Sequence, residues 1–318
     1  HQCTLQCQCK CIHKKLLRMN SSTVFTSYIN SRGEEFWQLF QWFPSIQSLY
    51  LDVEKEWDPD LRADGSSNRW IWNANHVPII AVALYLAFCY YGTLFMKRRE
   101  PLGLQGPLAL WNLGLALFSA AGALRTAPHL LWMLRVGGFR GVVCTVPSVG
   151  YGSGAAGLWT RWFIVSKIPE LVDTVFIVLR KKPLIFLHWY HHVTVLLYCW
   201  HSYVTESSMG IFFVAMNYSV HAVMYFYYFL AAAKLRKPRW LKPIYITIAQ
   251  TSQMFVGVAV CVGVYLIHSS APAGTCRGIR HDNLVAAAAM YASYFALFFK
   301  LAWDRYGPSN KKQKLKTK

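Results

Sequence analysis

The hydropathy pattern of this chain is one of long apolar runs separated by short basic clusters. Seven runs of about twenty residues occur, at 77–96, 106–126, 159–179, 184–203, 209–233, 244–267 and 284–303. A helix of about twenty residues crosses roughly 30 Å of hydrocarbon, so each run predicts a transmembrane helix. The expected fold is therefore all-α, a polytopic membrane protein with seven transmembrane helices. Three regions follow from the pattern: an N-terminal extension at 1–75, a seven-helix membrane domain at 76–306 and a basic tail at 307–318.

Composition sharpens this picture. Lys and Arg number 33 against 14 Asp and Glu, a formal charge of +19, yet only 15% of residues are charged and 54% are hydrophobic. A nucleic-acid binder would spread that charge over a polar surface; here it punctuates apolar runs, so no nucleic acid is expected and the partner is a membrane face. The loops after the first, third, fifth and seventh runs hold 17 basic residues, among them Lys97, Arg98, Arg99, Arg180, Lys181 and Lys182. The opposite loops hold four: Arg135, Arg140, Arg277 and Arg280. The positive-inside rule then makes the C-terminus cytosolic, and seven crossings put the N-terminus on the luminal side.

The first 75 residues balance eight basic against eight acidic residues and include an amphipathic stretch at 36–50 that is expected on the membrane surface. Cys3, Cys7, Cys9 and Cys11 lack a second ligand pair at finger spacing, and no metal site is expected there. The first methionine is Met19, so residues 1–18 read as a non-native or alternative upstream extension, and Asn20 opens a glycosylation sequon. Cys144 and Cys276 both fall in luminal loops, where an oxidising compartment permits a disulfide.

Polar side chains inside spans are costly and mark functional cavities. Here they form a layer in the cytosolic half. Lys167, Glu170 and Asp173 recur at three-residue steps, His188, His191 and His192 at i, i+3 and i+4, and Asn217 and His221 at i, i+4 with Tyr225 and Tyr228 continuing the stripe. Thr247, Gln250 and Gln253 lie at matching depth on the sixth run. One chemistry that suits the histidines is a di-iron desaturase or hydroxylase, but those draw on about eight histidines in three boxes, and this chain has one box. The other is acyl transfer, in which a desolvated neutral imidazole is nucleophile or base. A seven-span receptor or transporter would not require two further histidines one turn apart.

These motifs resemble the very-long-chain fatty acid elongases, the 3-oxoacyl-CoA synthases of the endoplasmic reticulum. KxxExxDT is matched by Lys167, Glu170, Asp173 and Thr174, HxxHH by His188, His191 and His192, NxxxHxxMYxYY by Asn217, His221, Met224, Tyr225, Tyr227 and Tyr228, and TxxQxxQ by Thr247, Gln250 and Gln253. The resemblance covers about residues 78–306. It implies condensation of an acyl-CoA with malonyl-CoA, with release of CO₂ and CoA, in an endoplasmic reticulum membrane. It implies also no cofactor beyond these substrates, an apolar acyl tunnel, and reductase and dehydratase partners for the rest of the cycle. His191 would carry the acyl group, with His192, His188, His221 and Asn217 assisting. Lys167, Glu170, Asp173, Tyr225, Tyr228, Gln250, Gln253, Lys181 and Lys182 would bind substrate, and Phe212, Phe213 and Tyr265 are candidates to close the tunnel. The segments 104–108 and 118–126, with His188-Trp189-Tyr190-His191-His192, resemble the branch acting on saturated and monounsaturated chains; an elongase of polyunsaturated chains is the alternative. The C-terminal Lys314-Leu315-Lys316-Thr317-Lys318 fits a KxKxx retrieval signal, or equally a basic tail on anionic lipid.

Overall fold

The computed structural model describes residues 28–61, 67, 69–272 and 274–306. The N-terminal cysteine cluster, Asn20 and the lysine-rich tail lie outside the described residues. Eight main helices account for most of the chain: α1 (His76–Met96), α2 (Gln105–Cys144), α3 (Gly154–Ser166), α4 (Val172–Leu179), α5 (Phe186–Val204), α6 (Gly210–Ala232), α7 (Pro243–Ser270) and α8 (His281–Tyr306). The one sheet among the described residues is an antiparallel pair, β1 (Tyr28–Ile29) and β2 (Glu35–Phe36).

Among the described residues four helices, α1, α2, α7 and α8, are long and apolar enough to cross a membrane, which makes this a multi-pass membrane protein. Helices α5 and α6 occupy the runs at 184–203 and 209–233, where histidine, asparagine and tyrosine dilute the apolar content. The run at 159–179 is not one helix. Pro169 has no N–H to donate and its ring crowds the preceding turn, so α3 ends at Ser166, a 3₁₀ turn follows at Pro169–Leu171, and α4 resumes at Val172. Helix α2 overshoots its run: Thr126, His129, Leu130 and Met133 are buried and hold it in register past Pro128. Arg135 and Arg140, expected in a loop, therefore sit on helix, the second of them beyond a break at Gly138, whose φ of 63° favours glycine.

The most extensive helix pair is α2 with α6. Its contact is close because Gly122 presents no side chain to Tyr218: a Cβ there would meet the tyrosine ring at 2.4 Å. Tyr218 is itself fixed, 2% exposed with its hydroxyl donating to the Trp159 carbonyl at 3.0 Å. That packing sets the rotation of α6 and so the direction of Asn217 and His221. Cys144 at the end of α2 is disulfide-bonded to Cys276 in the loop before α8.

The stretch at 36–50 does not simply float on a bilayer. Phe36, Leu39, Phe40 and Tyr50 are buried, the last two against Ala155 of α3, and the Gln38 side chain bridges the Lys55 carbonyl (2.8 Å) and the Ala155 amide (3.2 Å). Trp37 and Trp42 pack on Trp132 of α2, and Arg32 is paired with Asp60 and with Glu206 at 2.6 Å. The latch of this cap is Glu54. Burial alone would push its carboxyl up. Hydrogen bonds from the Arg125 guanidinium, Trp159 Nε1 and the Leu51 amide outweigh that and hold it below its ordinary range. A carboxyl with a lowered folded-state pKa contributes stability that is present above its unfolded value, about 4.3, and is lost as pH falls through the folded value. Protection of amides over 36–58 against hydrogen exchange is therefore expected to hold down to about pH 4.3 and to fall only below it, and Arg125→Met is expected to lower that protection at neutral pH and to weaken its acid dependence.

Candidate active site

The polar layer opens into one cavity of about 970 Å³. His188, His191 and His192 of α5, Asn217, His221, Tyr225 and Tyr228 of α6, Gln250 and Gln253 of α7, Glu170 of the 3₁₀ turn and Asp173 of α4 all line it. At its basic end stand Arg180, Lys182 and Arg305. Two expected lining residues are elsewhere. Lys181 takes a left-handed conformation (φ 52°) at the end of α4, where its amide and that of Lys182 bond back to the Val178 and Ile177 carbonyls, closing the helix. Its ammonium is turned onto the Lys97 and Arg99 carbonyls. Lys167 is not on the cavity wall; it lies behind it, 3% exposed.

The break at Pro169 explains where Lys167 goes. In a 3₁₀ turn residues at i and i+3 eclipse each other, and Lys167 Nζ donates to Glu170 Oε1 at 2.6 Å, while Ser166 Oγ donates to the same oxygen at 2.9 Å. Lys167 Nζ also reaches Asn217 Oδ1 at 3.5 Å, and Asn217 Nδ2 lies 3.2 Å from His221 Nε2. An ammonium only donates, so it fixes the oxygen side of the Asn217 amide; the nitrogen side then donates to His221, whose Nε2 must accept and whose ring proton therefore sits on Nδ1. An ion pair on the broken helix thus sets the tautomer of a histidine on α6.

The remaining groups are held just as specifically. Asp173 accepts from Trp111 Nε1 of α2 at 2.6 Å and from the Tyr225 hydroxyl at 2.7 Å. Thr174 joins the Tyr85 hydroxyl of α1 (2.9 Å) to His188 Nε2 (2.8 Å). Tyr294 of α8 lies beside His191, ring centroids 5.0 Å apart, and its hydroxyl contacts Thr194 Oγ1 at 2.5 Å. Among the described residues, no hydrogen bond engages the ring nitrogens of His191 or His192. Two histidines are thus tethered and two are free to react, and the free pair stands 5.7 Å apart, centroid to centroid.

Sequence reasoning placed polar groups on four helices and missed those on the other three. Tyr85, Trp111, Asn112 and Tyr294 complete the layer from α1, α2 and α8, but single aromatic or amide groups in apolar runs carry no spacing signal. Arg180 and Arg305 were visible only as loop charge. Of the residues expected to close a tunnel, Phe212 and Phe213 are buried, the latter 4.5 Å from the Tyr291 ring, whereas Tyr265 is 58% exposed and turned outward. Among the described residues, no group of three His, Cys, Asp or Glu side chains is placed to hold a metal ion.

Comparison with known sequences identifies the family. Residues 70–316 match the ELO family, described as the GNS1/SUR4 family. The chain is 45% identical over 259 residues to very long chain fatty acid elongase 6 of Drosophila melanogaster, covering 81% of this chain and 79% of the relative. It is 43% identical over 225 residues to very long chain fatty acid elongase 6 of Homo sapiens, covering 70% and 82% respectively. With fatty acid elongase 3 of Trypanosoma cruzi the identity is 36% over 281 residues, covering 81% and 92%.

Proposed function

Because the chain belongs to the ELO (GNS1/SUR4) family of fatty acid elongases, we propose that it is the condensing enzyme of fatty acid elongation, joining a saturated or monounsaturated long-chain acyl-CoA to malonyl-CoA. The observation that carries this is a single cavity with a free histidine pair at its wall and cationic side chains at its mouth. CoA phosphates suit Arg180, Lys182 and Arg305, and a thioester carbonyl suits the layer below them.

In the first step His191 attacks the thioester carbon. The C–S bond breaks, the imidazole proton passes to the departing thiolate, and CoA leaves with an acyl-imidazole in its place. In the second, malonyl-CoA loses CO₂, and the electron pair of that C–C bond attacks the acyl carbon. The C–N bond to His191 breaks, and the ring recovers a proton from the cavity. His192 stabilises the developing oxyanions, joined by Tyr225 when its hydroxyl turns from Asp173 to the reacting oxygen, and His221, held on one tautomer, moves protons. The product is a 3-oxoacyl-CoA two carbons longer, which requires reductase and dehydratase partners.

Seven membrane helices around an acyl tunnel fit this chemistry, with the basic loops and C-terminus cytosolic, the N-terminal cap luminal and the endoplasmic reticulum as the compartment. The test is condensation by the purified protein, following CO₂ from carboxyl-labelled malonyl-CoA with a panel of saturated, monounsaturated and polyunsaturated acyl-CoAs. Release is expected only with an acyl-CoA present and strongest with the saturated and monounsaturated members; malonyl-CoA turnover indifferent to acyl-CoA would overturn the assignment.

A further inference from the structure

Leu110, Leu117, Leu124 and Leu131 recur every seven residues on α2 and are each 63–71% exposed. They form one outward stripe, and at 1.5 Å per residue it is about 31 Å long, the thickness of a bilayer's hydrocarbon. Arg125 lies within that stripe, about 9 Å short of its Leu131 end. An arginine at such a depth is costly unless neutralised. Its neutraliser comes from the cap: Glu54, itself 3% exposed, takes hydrogen bonds from both Nε and Nη2, while Nη2 also donates to the Leu49 carbonyl at 2.7 Å. The cap segment is thereby fixed at the depth of Arg125, beside lipid-facing leucines.

The outer face of that segment is apolar where water would favour polar groups. Phe43, Leu49, Leu51 and Val53 are 53–66% exposed, while the inward side of the same stretch buries Phe40, Tyr50 and Glu54. Its backbone is satisfied locally: the Phe43 amide bonds to Leu39, Ile46 to Phe43, Tyr50 to Gln47, Lys55 to Leu51, and the Leu51 amide to the Glu54 carboxylate. Non-helical backbone at membrane depth requires that kind of internal pairing. Trp37, Trp42 and Trp132 cluster at the same end, as aromatic side chains do at a bilayer interface. Ser45, Gln47, Ser48 and Asp52 are also exposed, which sets the segment at the headgroup boundary rather than in the centre.

We infer that residues 43–53 form an interfacial membrane anchor, with Phe43, Leu49, Leu51 and Val53 inserted into the acyl-chain boundary of the leaflet on the disulfide side while Glu54 shields Arg125 from lipid. The occupant of the exposed face is the bilayer, because the face continues the leucine stripe of α2. The test uses the full-length protein in lipid nanodiscs with the free cysteines replaced by alanine and the disulfide kept. A nitroxide is placed in turn at Leu51→Cys and Val53→Cys, with Leu124→Cys as the lipid reference and Asp282→Cys as the water reference. Collision with oxygen is expected to exceed collision with a water-soluble nickel chelate at both positions, as at Leu124, with the opposite order at Asp282. Preferential access to the nickel chelate would show the face to be wetted and overturn the anchor. Shielding from both relaxants would show it covered by protein, a second copy included, and would overturn it equally. Two labelled positions guard against one variant failing to fold.

Discussion

Replacing His191 with alanine is expected to lower acyl-CoA-dependent CO₂ release by about 10³-fold or more, the scale of losing a positioned nucleophile or proton-transfer group. The expectation rests on the hydrogen bonds around the other histidines. His221 Nε2 is engaged by Asn217 and His188 Nε2 by Thr174, so a lone pair on either is released only by breaking an existing contact. His191 has no such tie and sits against Tyr294, whose hydroxyl is turned to Thr194 and the His191 carbonyl rather than to the ring. Intact-mass measurement with acyl-CoA alone separates the two-step route from a one-step route. Wild-type protein is expected to gain one acyl mass, His188→Ala to keep that gain, and His191→Ala to lose it. An enzyme that turns over without ever showing the adduct sinks the acyl-imidazole and leaves His191 as a base.

Lys167→Met is expected to be the most damaging change outside the cavity wall. Lys167 and Glu170 have side chains 2% and 5% exposed, and removing one partner leaves the other's charge buried with only Ser166 to bond it. Breaking a buried pair in this way costs about 3–5 kcal/mol, and thermal unfolding in detergent reads it directly. The double variant Lys167→Met/Glu170→Gln removes the stranded charge and is expected to recover most of that stability. It is not expected to recover activity, because nothing then fixes the Asn217 amide and His221 is free to exchange tautomers. A shift in the pH profile of CO₂ release in the double variant, absent from a destabilised core control away from the site such as Val264→Ala, would identify Lys167 as a positioning residue. Full activity of the double variant would reduce it to a packing element.

The parts of this molecule legible in the sequence are those written as local periodicity. Six of the seven apolar runs each fall mainly on one helix, the HxxHH spacing puts three rings on one face of α5, and Asn217 and His221 bond one turn apart as their i, i+4 spacing implies. The misses share a physical cause, in that each depends on a partner distant in sequence. Lys167 looked like a cavity residue because a continuous helix would carry Lys167, Glu170 and Asp173 on one stripe. Pro169 breaks that helix, and the ammonium turns instead toward an amide fifty residues on. The end of α2 carries Arg135 and Arg140 past the apolar run, a charge pattern shared with loops, and only the buried contacts of His129, Leu130 and Met133 make it helix. The amphipathic stretch at 36–50 gives no sign in its own residues that Phe36, Leu39, Phe40 and Tyr50 are buried against protein, because the fold alone supplies that partner surface.

The Cys144–Cys276 bond also carries a parity rule. Two cysteines can pair only if they reach the same compartment, so the chain between them must traverse the bilayer an even number of times. Of the four long apolar helices, just α7 lies between them, and one traverse would leave the thiols on opposite faces. An odd number of further traverses is needed from the region of α3 to α6. One such traverse or three would satisfy the rule, and the proposed seven-span arrangement uses three: the broken α3–α4 unit, whose pieces of 13 and 8 residues are each too short to cross alone, then α5 and α6.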